Sequence, residues 1–207
     1  MAVTTLPRSG PSCAFDTCVT YPYTDITEYF PRDYYWMIPA TVLLAPYVML
    51  LAYIHVQASE NKKAFSLASL AFGAMSTAVL ASLYFTQLTV VNASLDRGET
   101  DGLSLISQYN PHGLFIAGES VGYLLMSLGF LSLAAVFDRG DRLTAALRWV
   151  FLLASVAAFV FLIVLISIHG SDLEYRFEIA VISINWTTLI LGGFLLSVRY
   201  WKEQRRS

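Results

Sequence analysis

Nineteen consecutive residues, Val150–Ile168, read "VFLLASVAAFVFLIVLISI" and carry no charge. A stretch this long and this apolar fits a bilayer as a helix. About 20 residues, rising 1.5 Å each, match a hydrocarbon thickness of about 30 Å. Within lipid the chain must also satisfy its own backbone hydrogen bonds, which a helix does without help. The pattern occurs five times, over Tyr35–Val56, Ala64–Val91, Pro111–Phe137, Leu147–Ile168 and Phe177–Arg199. The second and third spans exceed the minimum and should tilt or project beyond the core. The expected fold class is therefore all-α and integral to the membrane. An antiparallel bundle of five transmembrane helices, residues 35–207, follows a polar outer N-terminal segment, residues 1–34. Short links, "ENKK" at Glu60–Lys63, "DRGDR" at Asp138–Arg142 and "HGSDLEY" at His169–Tyr175, pair sequence neighbours in opposite directions.

Charge is scarce and unevenly placed. Charged residues make up 14% of the 207, where a soluble chain carries roughly 25%. One side of the bundle would hold Lys62, Lys63, Arg139, Arg142, Arg148, Arg199, Lys202, Arg205 and Arg206, and the other only Arg8, Arg32, Arg97 and Arg176. Basic loops face the cytoplasm, so the N-terminus is expected outside and the C-terminus inside, in a plasma or inner cell membrane. Aromatic anchors fit these boundaries, with Tyr34, Tyr35 and Trp36 outside and Trp149, Tyr200 and Trp201 inside. No basic patch interleaved with aromatics exists, so nucleic acid is not an expected partner. The N-terminus lacks the continuous apolar run of a cleavable signal. Cys13 and Cys18 lie in this polar leader and can close a small disulfide in an oxidising compartment.

Small residues forecast which faces meet. Gly118 and Gly122 form a GxxxG in the third span, and Gly129 extends the stripe. Such residues let helix backbones approach closely. The second span is rich in Ala, Ser and Gly, which predicts tight packing of the second and third helices.

Polar residues inside apolar helices carry the functional expectation. A charged side chain at a helix centre costs about 2.5–3.5 kcal/mol on insertion scales, so Glu119 must find protein or water. His112 lies seven residues before it and Tyr123 four after it, on one helical face. Tyr84 and Gln87 share a face of the second span, and Glu178 and Asn185 share one of the fifth. These seven residues are expected to line one outward-facing pocket centred on Glu119, for ligand binding or proton relay. Three function classes follow. The first is binding or translocation of a small molecule or lipid. The second is a membrane enzyme using Glu119 and His112 as acid and base. The third is a structural subunit with a membrane-protein partner. No catalytic residue is assigned. Glu-x-x-His, HExxH, zinc-type Cys/His clusters, GxSxG, Walker and Rossmann patterns are absent, so neither a metal nor a cofactor is expected.

The run Gln108–Ser127, "QYNPHGLFIAGESVGYLLMS", resembles segments of small uncharacterised prokaryotic multi-pass membrane proteins. That likeness covers about a tenth of the chain and implies no activity. Five helices also invite comparison with the tryptophan-rich sensory proteins of the translocator family. The four tryptophans here do not reproduce that family's aromatic pattern.

Overall fold

The structure, a computed structural model, describes residues 8–10, 13, 18–138 and 140–205. Arg139 and Arg206 of the basic set lie outside the described residues. Among the described residues there is no strand, only an isolated bridge between Ser9 and Val19. The helices are α1 (Met37–Gln57), α2 (Lys63–Thr86), α3 (Asn92–Arg97), α4 (Leu103–Ile106), α5 (Leu114–Val136), α6 (Arg142–His169) and α7 (Glu174–Gln204). Five of these segments are long and apolar enough to cross a membrane.

Local chemistry sets the boundaries. Helix α6 begins five residues before the expected span, Leu147–Ile168, because Asp141 caps it, accepting the Thr144 N–H at 2.7 Å. Replacing such a cap by alanine costs about 0.5–2 kcal/mol. Asp141→Ala should therefore lower the thermal midpoint in detergent, whereas Asp141→Asn should keep it. Helix α5 begins at Leu114 and not at Pro111. Asn110 holds a turn there, accepting the His112 N–H at 2.9 Å and donating to the Ser104 carbonyl at 2.8 Å. Helix α2 does not stop at its expected end. It passes through a π-helical turn, Gln87–Val91, into α3, which closes at Gly98 with φ 71°. The left-handed conformation costs glycine nothing, which suits it to that position.

Helix α5 is the centre of the bundle, packing on α2, α6 and α7; the α2–α5 interface is the most extensive. Half of the most apolar window of α5 is buried, against 17% for α6, which is the most exposed of the five. The glycine stripe lies on the α2 side. A methyl group at Gly122 would stand 2.6 Å from Leu80 Cδ2, and one at Gly118 would stand 2.7 Å from Leu83 Cδ1. At Gly129 the nearest atom would be the Ser69 carbonyl oxygen, at 3.4 Å. Helix α1 packs chiefly on α2 and meets α7 only marginally.

The two ends of the bundle differ. At one end Lys62 reaches the Ala135 carbonyl and Asp138, Arg148 reaches the Phe137 carbonyl, and the Arg199 guanidinium lies 5.8 Å from the Phe137 ring centre. We call this the basic end. At the other end the N-terminal segment forms a cap. Ser9 Oγ donates to the Tyr109 carbonyl and lies 2.7 Å from the Tyr175 hydroxyl. Arg8 pairs with Asp33 at 2.6 Å, and Tyr109 donates to the same carboxylate at 3.3 Å. Cys13 and Cys18 are bonded to one another in this segment.

Candidate functional site

The polar centre is built by three helices that each contribute one face. Glu119 lies five residues into α5, about 7.5 Å along its axis, and has no exposed surface. Tyr123 follows one turn later on the same face. Helix α2 supplies Tyr84, also wholly buried, from its last turn. Helix α7 supplies Glu178 one turn from its start and Trp186 two turns further along.

The distances define an ordered chain. Tyr84 donates to Glu119 Oε1 at 2.7 Å. The Tyr84 and Tyr123 hydroxyls are 3.0 Å apart, and Trp186 Nε1 donates to the Tyr123 oxygen at 3.0 Å. An indole N–H only donates, and each phenol has one proton. The Tyr84 proton goes to Glu119, so Tyr123 must donate to Tyr84. Every donor from Trp186 onward thus points towards Glu119.

At the far side of Glu119 stands a second acid. Glu178 neighbours Glu119, and both carboxyls are buried. Glu119 Oε2 is buried and meets no N–H or hydroxyl donor. Ionised carboxylates only accept, so a hydrogen bond between the two acids would need one of them to carry a proton. Among the described residues, no lysine, arginine or histidine takes part in the contacts of either carboxyl. The donors at the centre, Tyr84, Tyr123 and Trp186, are all neutral.

The remaining expected residues sit elsewhere. Asn185 lies one layer deeper in the bundle, donating to Ser127 Oγ at 3.0 Å and to the Val181 carbonyl at 2.8 Å. Ser155 donates to the Ser127 carbonyl at 2.8 Å, so this cluster ties α5, α6 and α7 together. Gln87 is turned inward at the π-helical turn, a local widening often found at functional positions. Its amide donates to the Ile106 carbonyl and accepts the Gln108 N–H at 3.1 Å, pinning the segment that leads into α5.

His112 is separated from Glu119. It is exposed, precedes α5, and places Nε2 2.9 Å from Asp172 Oδ1. Seven-residue spacing shares a face only inside a helix, and the helix starts at Leu114. The pairing of Glu119 with His112 as acid and base therefore has no geometric basis. His112, Asp172 and Glu174 bring potential metal-ligating atoms within 4.8 Å of one another. Those groups are already engaged, His112 with Asp172, and Glu174 with Arg176 at 2.9 Å.

Trp186 is the member of the centre that was not expected. Its one sequence signal was its mid-span position, away from the interfacial belts where tryptophan concentrates. The expected outward-facing pocket does not reach Glu119 in this structure, since Glu119 is fully enclosed and Glu178 is 8% exposed. No protein-family model, curated protein or solved structure matches the chain.

Proposed function

We propose that this is a multi-pass plasma- or inner-membrane protein that binds or translocates a small molecule or lipid at its outer half, through the Glu119–Glu178 pair. The helices run antiparallel, with the N-terminus outside and the C-terminus in the cytoplasm. The orientation follows from the excess of lysine and arginine at the basic end. The observation that carries the functional reading is the pair itself. Two neighbouring carboxyls buried away from water, with no base among the described residues in contact with them, would share one proton and so form a site for one positive charge. Ionisable groups at such depth are costly and mark ligand or proton pathways in membrane bundles. At rest the charge is a proton. A ligand that enters must offer a cation or a strong hydrogen-bond donor in its place.

Mass spectrometry of small molecules retained after purification in mild detergent tests the reading. Wild type should carry a defined small molecule or lipid that Glu119→Gln loses. A ligand-free protein in stoichiometric complex with another membrane protein would overturn it. For topology, a C-terminal reporter found outside the cytoplasm would reverse the orientation.

A further inference from the structure

The N-terminal cap sits at the outer end of the helices that carry the carboxyl pair. Its described part, residues 8–10 with Cys13, Cys18 and Val19, doubles back on itself. The Val19 N–H donates to the Arg8 carbonyl at 2.7 Å, the Cys13 N–H donates to the Gly10 carbonyl at 3.2 Å, and the Cys13–Cys18 bond closes the loop. Ser9 is its innermost point, with no exposed surface. The Ser9 hydroxyl gives its proton to the Tyr109 carbonyl, so the Tyr175 hydroxyl, 2.7 Å away, is the donor to Ser9 Oγ. One side chain thus bolts the segment leading into α5 to the first turn of α7. Gly10 follows with φ 69°, and a methyl group on it would stand 3.4 Å from Pro111 Cγ and 3.8 Å from Tyr175 Cε2. Arg8 holds the other side of the cap. It pairs with Asp33 at 2.6 Å, and its guanidinium lies 4.5 Å from the Tyr29 ring centre.

We propose that Ser9 and Arg8 make this cap an autoinhibitory strap, which shuts the way from the outer solution to Glu178 by holding the starts of α5 and α7 together. The proposal rests on the ligand site read at the carboxyl pair. The placement of the two acids supports it. Glu119 lies five residues into α5, and Glu178 lies three residues after Tyr175 in α7. A solute arriving from outside to lie between them must first part these two helix starts, and Ser9 spans that joint. Tyr109, Tyr175 and Glu178 are all buried beneath it. The strap is also built to release, because its partners keep other partners when it leaves. Asp33 retains Arg32 at 3.1 Å and the Tyr109 hydroxyl at 3.3 Å, so no carboxylate is stranded. The Tyr175 hydroxyl retains the Gln108 carbonyl at 3.3 Å, and the Tyr109 carbonyl passes to water. Opening therefore breaks contacts at a water boundary and leaves the packed seam of α2 and α5 untouched.

Labelling of Glu178 by a water-soluble carbodiimide with glycine ethyl ester tests the strap in the full-length protein in lipid nanodiscs. Peptide mass spectrometry follows the rate, with the exposed Glu99 as internal standard. Ser9→Ala removes the bolt, and Arg8→Gln removes the ion pair. Each should speed Glu178 labelling about fivefold or more relative to Glu99, the size of one lost hydrogen bond. Asp141→Ala, which loosens the bundle at its opposite end, should leave the Glu178 rate where it is in wild type. Wild-type rates in both strap variants would overturn the proposal. So would wild-type Glu178 reacting as fast as Glu99, since the way would then stand open already. A rise in Asp141→Ala equal to that in the strap variants would overturn it too, because general loosening would then account for the access. Should Ser9→Ala fail to fold, Arg8→Gln decides alone. The labelling reads access and not binding. A strap that opens over a pair retaining no ligand sinks the functional reading and keeps this one. A ligand lost in Glu119→Gln, with labelling rates unmoved by the strap variants, does the reverse.

Discussion

Glu119→Gln is expected to abolish ligand or proton coupling at the centre of the bundle while leaving the fold in place. The reason is the hydrogen-bond stoichiometry. Glutamine has the same shape, and its carbonyl can accept the Tyr84 hydroxyl as Oε1 does now. Its NH₂ group can donate to the neighbouring Glu178 carboxyl. All contacts survive, and only the exchangeable proton is lost. The stability change should stay within about 1 kcal/mol, because the shape and the Tyr84 hydrogen bond are kept. Infrared difference spectroscopy of the lipid-embedded protein reads the proton directly. Wild type should show a carboxylic C=O stretch from the buried pair that the double variant Glu119→Gln, Glu178→Gln lacks. Proton-coupled uptake in proteoliposomes should fall to background in Glu119→Gln. Uptake that persists, with an unchanged spectrum, would make the pair a structural lock between α5 and α7.

The carboxyl pair also marks where the sequence stopped being informative. The five long helices were legible because apolar length alone specifies them, and length is a one-dimensional property. The α2–α5 interface was legible because Gly118, Gly122 and Gly129 repeat on one face. Tyr123 could be placed beside Glu119 because both lie inside one helix, four residues apart. His112 could not, because Asn110 holds a turn that breaks the helical register two residues before Leu114. The contact of Glu178 with Glu119 depends on how α7 is rotated against α5, and no residue spacing within α7 encodes that angle. Trp186 is hidden from the sequence for the same reason. The cap is a stronger case still. Ser9 meets Tyr109 and Tyr175, partners 100 and 166 residues away, through contacts that no periodicity announces.

Rotation of α5 against α2 is fixed by the glycine stripe, so Gly122→Leu should be the most damaging single substitution in the bundle. Its Cβ would lie 2.6 Å from Leu80 Cδ2 and 2.8 Å from Leu80 Cγ. Such a clash is mild when the neighbour is free to swing away. Leu80 is not, since it has no exposed surface and sits in the α2–α5 interface. The helices must separate or slide, and either movement pulls Tyr84, one turn from Leu80, away from Glu119. Overpacking of a well-filled interface costs about 1–3 kcal/mol, and a leucine forced between two helices belongs at or above the top of that range. Gly118→Leu should be milder, because Leu83 is only partly buried and can turn outward. Gly193→Leu, the same change made where no atom lies within 4 Å, should be nearly silent in stability. The three variants are compared by thermal unfolding and size-exclusion profile in one detergent. The expected order of loss is Gly122, then Gly118, then Gly193. A Gly122→Leu protein that melts with wild type would show that α2 and α5 do not pack along this seam. The chain of donors leading to Glu119 would then lose its geometric foundation as well, because Tyr84 reaches the carboxyl only across that interface.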